Sequence, residues 1–432
     1  MSVHESATPR SPADGDPVPT ATASLTEREA WAVLQTANGL GPVGFGRLLR
    51  RHGRARTVIE IAQRPDGARA LVGAGLPGDD LEPDEGDDRE GARARRLDPE
   101  VAAGIVTAAR GAAVILEQIA ELGLEVMTLE DQDYPTRLLA LELPPPVIFL
   151  RGDRAALSAE RTVAVVGTRR ATEAGRRLAR EIGITISRAG GVVVSGLAIG
   201  IDGAAHSGAV AARLPTVAVL GSGHGELYPR AHVPLAGDIV ATGGCVISEL
   251  APFVSGTRGT FPRRNRVISG LSDATVVVEA PRESGALITA EWALEQGRDC
   301  FLVPGPVGAP ESAGCLRFLR EYHGQARIVA TVVGLLEDLG FQAEVRPATL
   351  PSAIDLGETE QRLAALVSDG HATVDSLVAR TGLAVSTVLS GLTLLEMRGL
   401  VAGAYGRYRP TGILVPAVEA RRGGRRSVTA RV

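Results

Sequence analysis

At 432 residues, 44% of them hydrophobic, the chain has the make-up of a globular protein and is too long for one ordinary core. No apolar run reaches the length of a membrane span, and Cys245, Cys300 and Cys315 form no CxxC pair, so neither a disulfide framework nor a zinc site is expected. The net charge of −4 gives no overall pull toward nucleic acid, yet all 46 cationic residues are arginine; without lysine, a Walker A loop and Schiff-base chemistry are excluded.

Residues 1–24, rich in Ser, Thr, Pro, Ala and Asp, are expected to stay disordered. They lack the basic-then-apolar order of a secretory signal, so a cytoplasmic location is expected. From Leu25 the pattern turns helical: Thr26 with Glu29 forms a capping-box pattern, and Trp31, Val33, Leu34, Leu48 and Leu49 supply apolar faces. The break at 38–44 (NGLGPVG) suits a helix-hairpin-helix, a module that touches a DNA backbone in some proteins and is purely structural in others. An acidic run at 79–88 marks a linker, and helical periodicity returns over 99–122.

A short strand at 124–129 is followed by a turn, a short helix and a proline-delimited strand ending at Gly152, a candidate sheet edge. The apolar run 162–166 then ends in Gly167 and opens into a long amphipathic helix, which reads as a buried parallel strand feeding a helix. Strand-then-loop patterns recur at 192–196, 217–221, 275–279 and 301–305. The fold class expected is therefore α/β, a doubly wound parallel sheet whose ligand edge lies beyond the strand carboxyl ends. Near the end, helices over 360–367, 374–380 and 386–398 and a strand-like 400–408 give the order of a winged helix-turn-helix. Its recognition helix offers Ser386, Thr387, Ser390 and Thr393 before Arg398, which favours protein contact or weak DNA contact.

The loops at the predicted sheet edge are small, hydroxylated and cationic: Gly167-Thr168-Arg169, then Ser195-Gly196 on to Gly200, Phe261 with Arg263, Arg264, Asn265 and Arg266, and Ser284-Gly285 with Thr289. Such groups suit phosphate oxygens, and Phe261 offers a face on which a base can stack. The first turn is not GxGxxG and the second strand ends in Ser195-Gly196 rather than an acid, so NAD is disfavoured and no cofactor is expected. His206 reads as a buried, hydrogen-bonded histidine and Asp202 as a helix N-cap. Glu249 and Glu279 end strands without a metal-ligand pattern, and no catalytic set or metal site is expected.

These motifs, in this order, resemble the DNA-processing protein A family, also called DprA or Smf. The resemblance runs over about 124–320 and rests on Asp133-Tyr134-Pro135, Arg151-Gly152-Asp153, Gly167-Thr168-Arg169, the 195–202 loop with Ala205-His206, Tyr228-Pro229, Ser248-Glu249, the 261–266 run and Val303-Pro304-Gly305. It implies an extended Rossmann-like core and a non-enzymatic protein that binds single-stranded DNA, dimerises and loads RecA onto incoming strands in natural transformation. Arg169 would then hold a phosphate, the 195–200 loop would offer backbone N–H groups, and Phe261, Arg263, Arg264 and Arg266 would contact the strand.

The resulting division is a disordered 1–24, a helical module 25–77, an acidic linker 78–98, the Rossmann-like domain 99–338, a linker 339–357, a winged helix 358–412 and a basic tail 413–432. After Pro304-Gly305 the chain departs from the family pattern, with Gly314-Cys315-Leu316 and then Arg320 to Gly324 near the implied dimer surface. Two rivals stand beside this reading. One is a nucleoside monophosphate-cleaving enzyme of the lysine-decarboxylase-like type, suggested by Ser284 to Glu291; the other is a winged-helix regulator with a sensing core.

Overall fold

A computed structural model describes residues 25–73, 96–341, 356–398, 400–404 and 407–410. The expected disordered start, the basic tail and most of both linkers lie outside the described residues. The chain divides into two compact units at 343/344. No single described helix is long and apolar enough to cross a membrane.

The first unit opens with four short helices, α1 (Glu27–Gln35), α2 (Pro42–His52), α3 (Ala55–Ala62) and α4 (Gly67–Gly73), followed by α5 (Pro99–Arg110) and α6 (Ala112–Glu121). The capping box forms as its sequence dictates: Glu29 N–H donates to Thr26 Oγ1, and the Thr26 N–H donates to Glu29 Oε2. All six helices contribute to one core with Trp31, Phe45, Leu71, Ile105 and Ile119, joined by Val147 and Phe149 from the sheet. Residues 99–121, assigned by sequence to the sheet domain, thus pack into the same core as the N-terminal helices.

Next come β1 (Glu125–Thr128), α7 (Thr136–Leu139), β2 (Val147–Gly152), β3 (Thr162–Val166), α8 (Glu173–Arg188), β4 (Val192–Ser195), α9 (Ile201–Ala211), β5 (Thr216–Val219), α10 (Val233–Ala241) and β6 (Cys245–Ser248). The unit closes with α11 (Thr260–Gly270), β7 (Ala274–Val277), α12 (Gly285–Glu295), β8 (Asp299–Leu302), α13 (Ala313–Glu321), β9 (Ala326–Ile328) and α14 (Val332–Asp338). Among the described residues the sheet has nine strands in the order β1-β2-β6-β5-β4-β3-β7-β8-β9. From β6 to β9 every pair is parallel, while β1 and β2 run antiparallel along one edge.

Continuous valine runs make these strands because both faces are covered. Val163 and Val165 face the helices α8, α9 and α14, whereas Ala164 and Val166 face α11, α12 and α13. The order reverses direction at β3: the chain builds outward through β4 to β6, then returns to β7 on the other side. That switch point opens a crevice beyond the strand carboxyl ends, where open α/β sheets take their ligands.

The second unit is the expected winged helix: α15 (Glu358–Ser368), α16 (Val374–Thr381), α17 (Val385–Met397) and the hairpin β10 (Val401–Ala404) with β11 (Arg407–Pro410). Leu363, Leu377, Val388, Leu392 and Leu395 form its core.

Candidate nucleic-acid interface

At the switch point a groove of about 730 Å³ runs between the turn after β3, the 226–230 segment, the start of α11 and the start of α12. Of the sequence-predicted residues, Gly167, Thr168 and Arg169 line it from β3, Phe261, Arg264 and Asn265 from α11, and Ser284, Gly285 and Thr289 from α12. A smaller slot beside it is bounded by Gly196, Ile199 and Pro229 together with Arg169, Tyr228 and Phe261.

The exposed Arg169 guanidinium lies 5.0 Å from the centroid of the Phe261 ring, and the Tyr228 ring stands 6.0 Å from that ring at 58°. Cation and ring reinforce each other, since the guanidinium sits over the electron-rich face. Arg170, Arg230 and Arg258 also line the groove and are exposed. Among the described residues none of these four arginines is ion-paired. Two carboxylates outside the buried layer, Glu226 and Glu283, face them, so the open rim has an excess of positive charge.

Below the rim lies a layer of buried polar groups, and here the structure departs from the sequence reading. Arg264 and Arg266, expected to reach a bound strand, both turn inward. Arg264 is 4% exposed and donates to Gly196 O at 2.9 Å and to Val219 O. Burial lowers its pKa to about 10, with the Asp202 carboxylate opposing that shift. Arg266 is paired with Glu249 at 2.5 Å, both side chains 8% exposed, and donates to Leu143 O at 2.8 Å. Arg263 is exposed but does not line the groove.

Asp202 is not an N-cap either: Gly200 holds that position, and Asp202 sits in the first turn of α9. Its carboxylate accepts from Gly196 N at 3.2 Å, and the N–H groups of Ala198 and Gly167 also favour its charged form. Burial is the larger effect and raises its pKa. The N–H groups that the 195–200 loop was expected to offer an outside anion are therefore partly spent on an internal carboxyl. Ser195 is fully buried and donates to Val165 O at 2.6 Å.

The remaining predicted residues shape the groove. Thr168 N–H donates to Glu279 O at 2.7 Å, and its hydroxyl accepts from Arg170 N at 3.1 Å, which fixes the turn that carries Arg169. Glu279 in turn accepts from Thr172 N at 2.9 Å, at the start of α8. Asn265 donates to Gly285 O at 3.0 Å and ties α11 to the start of α12, where Ser284 caps Ala286 N. Gly200 has φ +94°, and a Cβ there would strike Thr168 O, so the 197–200 loop needs glycine to lie against the β3 turn.

His206, expected to be buried and hydrogen-bonded, is so: its Nδ1 lies 2.8 Å from Thr216 Oγ1. Because the Thr216 hydroxyl donates to Val193 O at 2.7 Å, Nδ1 must be the protonated nitrogen. Burial lowers the His206 pKa to about 3. Tyr228, Arg170, Arg230 and Arg258 were missed as groove residues. Arg230 and Tyr228 flank the Pro229 of a motif already noted, and Arg258 stands in a Gly/Thr-rich loop just before α11, so each carried a local signal.

Comparison with known proteins accords with this arrangement. The description "DNA recombination-mediator protein A" matches residues 125–340, and "DprA winged helix domain" matches 346–407. Protein Smf of Escherichia coli strain K12 is 37% identical over 285 residues, covering 65% of this chain and 75% of that protein. The chain belongs to the DNA recombination-mediator protein A family. DNA processing protein DprA of Bacillus subtilis strain 168 is 38% identical over 207 residues, 48% of this chain and 69% of that one. The X-ray structure of DprA from Streptococcus pneumoniae matches with a TM-score of 0.56 at 26% identity, covering 73% of this chain and 98% of its own. The groove thus lies within the part of this DprA-family chain that the family description spans.

Proposed function

We propose that this protein binds single-stranded DNA in the groove and passes it to the RecA recombinase, acting in the cytoplasm as a homodimeric mediator of recombination rather than as an enzyme. The observation that carries the binding half is the Arg169, Phe261 and Tyr228 cluster inside a groove whose four exposed arginines have no ion-pair partner among the described residues. Guanidinium groups hold phosphates whatever the sequence, and exposed rings stack on bases. A duplex hides its base faces, so rings at the foot of a cationic groove favour an unpaired strand. RecA, the dimer and the link to DNA uptake rest on the family resemblance.

Titration of labelled oligothymidylate and of a duplex of equal length tests the binding half. Single-strand affinity should exceed duplex affinity and fall steeply as salt rises. Equal affinity for both, or no salt dependence, overturns it. Assembly of RecA on strands precoated with single-strand-binding protein tests the mediator half, which fails if the protein does not accelerate it. Release of free base from AMP would instead favour the nucleotide-cleaving reading.

A further inference from the structure

We propose that the outward face of α2 is a second contact for the phosphodiester backbone, lengthening the path of a bound strand beyond the sheet groove. The proposal rests on the groove reading for the first half of that path.

The chain as a whole is acidic, but residues 25–73 hold eight arginines against four carboxylates, and no Asp or Glu occurs between Glu29 and Glu60. Within that gap lie Arg47, Arg50, Arg51 and Arg54. On α2 the buried Phe45 and Leu48 set the inner face, and at 100° per residue Arg47, Arg50 and Arg51 fall within an arc of about 100° on the opposite side. Gly53, at φ +77°, ends the helix, and Arg54 follows, exposed. Among the described residues none of the four is paired with a carboxylate.

The neighbouring acids are occupied elsewhere. Glu27 accepts from Ala55 N at 2.6 Å and from Trp31 Nε1 at 3.2 Å, Glu29 closes the capping box, and Glu60 pairs with Arg56 at 2.9 Å. Three uncompensated like charges on one helix face, with a fourth exposed just past its end, repel one another, and a polyanion relieves that repulsion while shedding its own counterions.

Placement links this face to the groove. Gln35 Nε2 donates to Glu249 O at 2.7 Å, which pins the end of α1 to the residue after β6. β6 lies three strand spacings, about 14 Å, from β3, so the end of α1, from which the 36–41 turn leads into α2, meets the sheet at its carboxyl rim. On the same rim, Phe253 is 47% exposed with its ring near Gly225, offering a stacking face on the way. The arginine face has no exposed aromatic and one exposed large apolar residue, Val43, so it lacks the apolar centre of a protein interface. Its chemistry suits a sequence-independent hold on phosphates.

The test uses the full chain carrying Arg47→Ala, Arg50→Ala, Arg51→Ala and Arg54→Ala together, with two oligothymidylates: one short enough to occupy the groove alone and one of roughly 30 nucleotides. Binding of the short strand should be unchanged. The long strand should bind more weakly, with its log-affinity against log-salt slope flatter by about 2 to 3, since each lost phosphate contact removes about 0.7. Should the fourfold variant misfold, Arg47→Gln with Arg54→Gln should give about half that change in slope. Unaltered affinity and slope for the long strand, in a folded variant, overturn the proposal. Arg169→Ala separates the two readings: weakened binding at both lengths supports the groove, whereas no effect at either length sinks the groove but not the α2 contact.

Discussion

Arg169 and Phe261, the first on the turn after β3 and the second in the opening turn of α11, are brought together with the guanidinium 5.0 Å from the ring centroid. The pair joins a charge that any phosphate attracts to a surface that any base can cover. Phe261→Ala should cost about 1 to 3 kcal/mol of single-strand affinity, and Arg169→Ala should weaken binding and flatten the salt slope by about 0.7. Fluorescence anisotropy across a salt series reads both effects.

Arg264 belongs to a different class. Replacing it by Ala strips the buried Asp202 of its neighbouring cation and leaves Gly196 O and Val219 O without their donor. Leaving buried acceptors without their donor costs about 1 to 3 kcal/mol each, so Arg264→Ala should lower the thermal midpoint sharply. Adding Asp202→Asn should restore part of the loss. Arg170→Ala, on the exposed rim, should leave the midpoint unchanged and weaken DNA binding. Melting curves and titrations on the same preparations distinguish the two arginines.

Acid should destabilise the first unit through the buried His206 and the half-buried His224. Burial lowers the pKa of His206 to about 3 and of His224 to about 4, against an unfolded value of 6.5. The unfolded chain takes up protons that the folded one refuses, so this stability is present above pH 6.5 and is lost as pH falls toward 4. Asp202 and Glu249, whose pKa values burial raises, act in the opposite sense. The histidine share is therefore read as a difference: urea midpoints should fall less between pH 6.5 and 4.5 in His224→Gln than in the parent, with pH points chosen around the histidine range. Parallel curves would contradict it.

Gly200→Ala should harm both stability and binding, because a side chain at φ +94° is strained and its Cβ meets Thr168 O. The loss should exceed about 1 kcal/mol. Since the same contact holds the turn that carries Arg169, single-strand affinity should fall even where the variant is fully folded. Circular dichroism followed by titration at low temperature checks this.

The fold was legible because its cause is local. Valine runs ending in glycine, such as 162–167, require burial on both faces, and only a covered parallel sheet supplies that. The capping box at Thr26 and the winged-helix order were equally readable. Side-chain fate was less so. Whether an arginine after Phe261 faces water or the interior depends on partners such as Gly196, 68 residues away, and Glu249, 17 residues away. Residue types placed the loops at one rim; long-range pairing decided which of their cations remained free.

The Arg264 guanidinium fills the volume that a methyl group on Gly196 would need, and the Asp202 carboxyl oxygen borders the same space. Neither partner can be exchanged alone: enlarging position 196 evicts the cation, and shortening position 264 opens a void beside the buried Asp202 carboxyl. The two sites should therefore drift in concert through evolution. A laboratory selection started from Gly196→Ala should recover fitness by trimming the side chain at position 264 before it alters anything on the exposed rim.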